Sequence, residues 1–269
     1  MNLVSRSDVE RALERAGLQQ GDAVLVHSNL MRFGRPEGGM NTYLDAFDRV
    51  LGPHGTIAVP TFSFSFIQTG YYHWQDTSSE GMGAFAETIR RRPDAMRARH
   101  PLQSVAVVGS LAKDVAAIEA PSAYSPDGIF NGLCARGFKI LVFGAEPIHI
   151  SHSHLSEERA EVPYRFHKPV TGTACLGPNE ADHSQTWSFF ARDLDLDVRP
   201  EGEDAIVLSL IESGDWVRDE LNDVPIYAGA ASTFVDLLSD KLAADPLWMV
   251  PDRNTVTQQL ELMGKSLGT

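Results

Sequence analysis

The chain has few cysteines, a shortage of basic residues and no long apolar run, and each shortage removes a class of function. Cys134 and Cys175 are its two cysteines among 269 residues. With no CxxC spacing they build neither a disulfide framework nor a thiolate zinc site, and both read as small buried residues. Lys and Arg number 23 against 36 Asp and Glu, a net charge of −13. Too little cation is left to neutralise phosphates, which argues against nucleic acid as a partner. An acidic surface suits an amine-bearing partner, although acidity also serves solubility alone. The opening MNLVSRSDVERALERAGL is charged and amphipathic, not a signal-peptide core, and nothing later approaches the about 20 apolar residues of a membrane span. A cytoplasmic protein with no membrane partner is expected.

What remains is an ordinary globular composition, 43% hydrophobic, enough for one large α/β domain. Ser7 to Glu10 reads as a capping box that starts a helix over 8–16, stopped before Gly17. DAVLVHS, GTIAVPTF, SVAVVGS and KILVFGA are short apolar runs between turn signals, the form of buried strands. Between them lie helical stretches NTYLDAFDRVL, GAFAETIRRR (broken at Pro93) and IFNGLCARG. Strand, helix, strand favours parallel pairing of the first two strands. The expected class is α/β, with α/β/α layers around a largely parallel or mixed central sheet. Past Pro163 the pattern is less regular, with short strands and two late helices near STFVDLLSDKLAADP and NTVTQQLELMGKSL. One domain over 1–269, with 180–269 as a C-terminal elaboration, is the simplest organisation.

The stretch richest in chemistry is HISHSHLSEERAEVPYRFHK, residues 149–168. It follows the strand KILVFGA, at the edge of the sheet where α/β proteins generally place ligands. Ser151 or Ser153 is expected to cap a helix with His154 in its first turn and Glu157 three residues on, sharing one face. A carboxylate there fixes the imidazole tautomer and makes the other ring nitrogen a better general base, as deprotonating an ammonium requires. His149, His152 and His154 with Glu157 also compose a metal-ligand set for a metal-dependent hydrolase. Its spacing matches neither HExxH nor HxxEH. The bland reading, a solvated loop or satisfied helix start, is the assignment for His149 and His152.

Four segments, GDAVLVHSNLMRFG, GGMNTYLDAFDRVLGPHGTIAVPTF, MGAFAETIRRRPDAMRARHPLQSVAVVG and HLSEERAEVPYRFHKPVTG, together resemble the aminoglycoside 3-N-acetyltransferase family in order and spacing, over roughly residues 18–175. VPYRFHK, the FSFSFIQTGYYHW loop and the later RDLDLDVRP resemble its biosynthetic branch more than its resistance enzymes. The resemblance implies that family's α/β fold and direct transfer of acetyl from acetyl-CoA to a small-molecule amine, without an acyl-enzyme. The lack of a standard ligand spacing and of cysteine ligands predicts no metal. The resemblance also implies His154 and Glu157 as the base pair, with Thr61 and Ser104 as weaker candidates for oxyanion donors. His27, Ser28, Asn29 and Leu30 are candidates for the pantetheine arm, with His100 approaching the same region and Arg90 a candidate for the CoA phosphates. Ser28 and Ser104 also read as local backbone hydrogen-bonders, and the arginine run as a solvated helix end.

An acidic acceptor pocket is expected from Asp76, Glu80, Glu157 and Glu158, since opposite charge holds a cationic amine. The aromatic loop favours a compact, near-neutral amine over a polycation. A CoA-binding protein without catalysis stays open as a further alternative, as does a homodimer.

Overall fold

The computed structural model describes residues 2–264. Its centre is a seven-stranded mixed sheet, in the spatial order Trp216–Leu221, Val224–Ala230, Lys139–Phe143, Ala23–Ser28, Thr56–Pro60, Val105–Gly109, Met96–Arg97. The three middle strands run parallel. The neighbours on both sides are antiparallel, at Ile57 opposite Val108 on one flank and Ile226 opposite Phe143 on the other. The sheet is therefore mixed, with a parallel heart.

Every central strand is apolar on both faces, which only a sheet covered on both sides tolerates. Leu25, Ala58, Val107, Ile140 and Val142 enter one core with the helices Ile129–Ala135, Glu203–Ser213 and Ala231–Ala244. Val24, Val26, Ile57, Val59, Leu141 and Phe143 enter the other with Arg6–Arg15, Asn41–Leu51 and Gly83–Arg90. The result is three layers, α/β/α. Residues beyond 180 supply two strands of this same sheet and much of one helical layer.

Some elements differ from the sequence expectation. The first helix starts at Arg6, because Ser5 and not Ser7 is the N-cap: Ser5 and Asp8 hold each other's backbone amides. Both serines stand three residues before a carboxylate, Asp8 for Ser5 and Glu10 for Ser7, and the earlier box is the one that closes, Glu10 accepting from Arg6 instead. The irregular region after Pro163 contains a long hairpin, Arg165–Cys175 with His183–Arg192, joined by Tyr71–His73 into a separate three-stranded sheet. That sheet covers a small third core of Phe66, Tyr72, Val170 and Trp187. The last described helix is Arg253–Leu262. Its expected continuation through Leu267 lies outside the described residues.

Candidate active site

The parallel strands Ala23–Ser28 and Lys139–Phe143 end side by side, with Asn29 N donating to Phe143 O at 3.0 Å. Gly144 ends the second strand at φ +70°, and a Cβ there would stand 2.8 Å from Asn29 O and 2.9 Å from the Phe33 ring. Only glycine lets the two strand ends approach so closely. A cleft of about 410 Å³ opens above them, walled by Val26, His27, Phe62, Met82, Ile150 and His154, with Ser28, Asn29, Ser151 and exposed His149 also on its lining.

His154 reaches the cleft from the helix Ser153–Arg159. No serine caps that helix: His152 takes the N-cap position without a side-chain bond, while Ser153 Oγ donates to Ile150 O at 2.9 Å. The expected capping by Ser151 or Ser153 is thus corrected, because His152 already holds helical backbone angles one residue ahead. The helical spacing still delivers the pair. His154 Nδ1 lies 2.6 Å from Glu157 Oε2, with the His154 side chain 31% exposed and that of Glu157 1% exposed. This geometry assigns the proton to Nδ1, donating to the carboxylate, and leaves Nε2 a free lone pair.

A third group completes the arrangement. Arg165 Nε, at the start of the hairpin, stands 2.8 Å from the same Glu157 oxygen as an ion-pair contact. Burial acts to raise the Glu157 carboxyl, and His154 and Arg165 outweigh it, so the group stays below the usual carboxylate range. Desolvation and then Arg165 lower the His154 imidazole, against the pull of Glu157. A neutral His154 above an ionised Glu157 is the resting state near neutrality. Tyr124, stacked on Phe130, meets the His154 ring edge-on with centroids 5.3 Å apart, which fixes its plane.

Other expected residues fall elsewhere. Ser104 Oγ donates to Ala98 O at 2.6 Å, and Thr61 Oγ1 accepts from Arg97 Nε at 3.1 Å, both fully buried away from the cleft. Their hydroxyls hold the arm of the molecule around buried Arg97, which also donates to Ser63, Trp74 and Thr77. His100 is buried, accepts from Gln103 N at 3.1 Å and lies near Pro121 O. Arg90 is folded onto Glu87 with two contacts of 2.8 Å and onto the Gln75 carbonyl, its side chain 5% exposed. None of these four lines the cleft, and Arg90 turns inward onto Glu87. Leu30 packs against the core beside the cleft mouth.

The expected acidic pocket does not assemble either. Asp76 pairs with His73 at 2.9 Å on an exposed turn, and Glu80 accepts from Ser65 N at 3.0 Å, pinning the aromatic loop. Glu157 faces the buried dyad. Glu158 alone of the set lines a second cavity of about 540 Å³, with Tyr124, Glu161, Arg165, Phe166 and Phe190. Because Tyr124 touches His154 and Arg165 touches Glu157, this cavity borders the dyad from the hairpin side. Cation and anion are mixed there, and burial raises the Glu158 carboxyl, which accepts from Ser122 Oγ at 2.6 Å.

His152 is fully buried against Phe130, with ring centroids 5.2 Å apart, while His149 is exposed. Among the described residues no three His, Cys, Asp or Glu side chains are grouped to hold a metal ion. Sequence reading missed Tyr124, which comes from another segment, and Arg165, which lies eight residues past Glu157; the string VPYRFHK drew notice without singling out the arginine.

The aminoglycoside 3-N-acetyltransferase profile matches residues 25–243, which is most of the chain. The chain belongs to the aminoglycoside 3-N-acetyltransferase family. Aminoglycoside N(3)-acetyltransferase VII of Streptomyces paromomycinus is 30% identical over 183 residues, 60% of this chain and 62% of that protein. Aminoglycoside N(3)-acetyltransferase VIII of Streptomyces fradiae is 27% identical over 191 residues, 62% and 67% of the two chains. The aligned part thus spans somewhat under two thirds of the first of these relatives.

Solved members share the fold. AAC(3)-Xa superposes with a TM-score of 0.79 at 22% identity, covering 93% of this chain and 95% of that one. AAC-IIIb in its binary complex with CoASH gives 0.76 at 20% identity, covering 90% and 97%. Both the family and the mixed α/β architecture expected from sequence stand. Among the described residues no helix is long and apolar enough to cross a membrane.

Proposed function

We propose that the protein is an acetyl-CoA-dependent N-acetyltransferase that moves acetyl directly onto the amine of a small molecule, with His154 as general base. The single observation that carries this reading is His154, its Nδ1 held at 2.6 Å by Glu157 while the ring borders the cleft. Glu157 and Arg165 hold the imidazole neutral, oriented and free at Nε2 to accept the proton that the neutral amine sheds as it attacks.

The cleft fits the thioester end of a CoA arm. Val26, Phe62, Met82 and Ile150 supply an apolar wall, and Ser28 and Asn29 offer polar groups at the strand ends where amides of such an arm can bond. That AAC-IIIb has been solved with CoASH supports the donor. The acetyl-bearing molecule supplies the electrophile; this chain binds it, excludes water and moves the proton at His154 Nε2.

The acceptor enters from the hairpin side. Its cavity has Phe166 and Phe190 for stacking on a ring, and its lining sets Glu158 and Glu161 against Arg159, Arg165 being spent on Glu157. Such a balance favours a compact, singly charged amine, an amino sugar or a metabolite amine, over a polycation. The relatives are named for aminoglycosides, and AAC-VIa has been solved bound to sisomicin, so aminoglycosides belong in the same test. One folded unit carrying both cavities, with the C-terminal strands as part of its sheet, completes the proposal. The experiment is a screen of amino sugars, simple amines and aminoglycosides for free-thiol release from acetyl-CoA. A protein that releases thiol with none of them would refute the reading.

A further inference from the structure

Acyl transfer to an amine creates negative charge on the thioester oxygen, and a donor must be waiting for it. Thr61 and Ser104 do not line the cleft, and the Ser104 hydroxyl already donates to Ala98 O. One side chain of the cleft is in the opposite condition. His27 is 5% exposed, and its Nε2 is the sole buried side-chain polar atom without a hydrogen-bond partner among the described residues lining that cleft. An imidazole buried beside water-sized space without a partner is costly unless something else supplies one.

We propose that His27 is a further catalytic residue of the transfer, its Nε2–H donating to the carbonyl oxygen of the bound thioester and to the oxyanion that forms there. The inference rests on the acyl transfer proposed above. Backbone structure fixes the position: His27 is the penultimate residue of Ala23–Ser28, paired in register with Val142 of the adjoining parallel strand. It shares the cleft with His154. The two imidazoles come from different elements, one from a rigid strand at the floor and one from a helix at the wall. That division suits a donor that must not move and a base that must meet the amine.

The two rings differ in environment as these roles require. Burial first, then His152 and His149, hold the His27 imidazole down to about 3. It therefore stays neutral, with one N–H to give and no positive charge to be deprotonated by a nearby base. His154 has the carboxylate partner that His27 lacks.

In the step itself the amine nitrogen bonds to the carbonyl carbon while the π pair moves onto oxygen, where His27 Nε2–H receives it. His154 Nε2 takes the proton that nitrogen sheds. The oxygen pair then re-forms the double bond, the C–S bond breaks, and the pair leaves on sulfur, which takes the proton from His154. No redox partner or further reactant is involved.

The test uses His27→Gln, whose amide nitrogen reaches about where Nε2 stood, His27→Asn, which reaches only the Nδ1 position, and His27→Phe, which has no donor. Acetyl-CoA carrying 13C at the carbonyl is bound to each full-length protein without acceptor, and the infrared carbonyl band is read. CoA affinity and kcat are measured beside it. Expected are a lowered band in wild type and His27→Gln that reverts in His27→Phe, unchanged CoA affinity, and a kcat loss of about a hundredfold to a thousandfold in His27→Asn and His27→Phe, with most activity kept by His27→Gln. Should His27→Phe misfold, His27→Asn against His27→Gln makes the same comparison. The proposal is overturned if the band and kcat ignore residue 27, or if the variants weaken CoA binding while kcat holds, which is a pantetheine contact only. A lowered band in wild-type protein that acetylates no amine would instead remove the transfer reading and leave the His27 contact standing.

Discussion

Arg165 and His154 meet on one atom: Arg165 Nε at 2.8 Å and His154 Nδ1 at 2.6 Å both approach Glu157 Oε2. The carboxylate orients the imidazole, and the guanidinium compensates a carboxylate buried to 1% exposure. The Arg165 cation also lowers the His154 imidazole. Its removal therefore has a signed consequence. Arg165→Met should raise the His154 pKa, so the acid limb of kcat/KM, which in wild type lies below the ordinary imidazole value of about 6.5, moves to higher pH by about half a unit or more. Glu157→Gln should lower kcat by about a hundredfold through loss of orientation and charge stabilisation. A pH–rate profile of each variant checks this. An acid limb that stays in place in Arg165→Met would show that the arginine acts on folding alone.

Arg90 gives a prediction of the opposite kind. Its side chain is spent on Glu87 and the Gln75 carbonyl, so Arg90→Ala should leave KM for acetyl-CoA within about threefold while lowering stability by about 1–2 kcal/mol. Calorimetric melts and saturation kinetics separate the two effects. A tenfold rise in KM at normal stability would return Arg90 to the cofactor.

Three buried imidazoles make the fold sensitive to acid. His27 and His152 are held at about 3 and His100 at about 4, burial being the first cause in each. The unfolded chain protonates near 6.5, so this stability is full above that value and is lost as pH falls toward 4, at up to about 1.4 kcal/mol per pH unit for each histidine. His152→Leu should flatten the slope by about one proton. Urea unfolding of both proteins at pH 7, 6 and 5 is the measurement, and equal slopes would contradict it.

The proposed acceptor site gives a prediction about charge. With Glu158 and Glu161 met by Arg159 alone, since Arg165 is spent on Glu157, catalytic efficiency for a singly charged amino sugar should equal or exceed that for a multiply charged aminoglycoside, and salt should change the ratio little. An aminoglycoside advantage of about tenfold that collapses in high salt would make the polycation the natural substrate.

The sheet was legible because its strands are short apolar runs between turns: Val24 to Val26 and Ile140 to Phe143 are fully buried whichever face they take. The hairpin was less so. Arg165–Cys175 carries Lys168, Pro169 and Gly172 and exposes much of its first half, so neither strand periodicity nor apolar run marks it. At the site, helical spacing alone joined His154 to Glu157. Tertiary contacts decided the rest: Arg165 reaches Glu157 after the helix has ended, and Arg97 draws Thr61 inward from another strand. Asp76 and Glu80 were grouped by charge, but a local turn with His73 claimed Asp76 and the Ser65 amide across the loop claimed Glu80.

The most direct measurement is thiol release from acetyl-CoA, with the best amine of a screen, by wild type and His154→Ala at matched CoA occupancy. His154 is partly exposed and set T-shaped against Tyr124, so the variant is expected to fold and bind CoA as wild type does while kcat drops by about a hundredfold or more. Near wild-type kcat in a folded, CoA-binding His154→Ala protein would contradict His154 as the base.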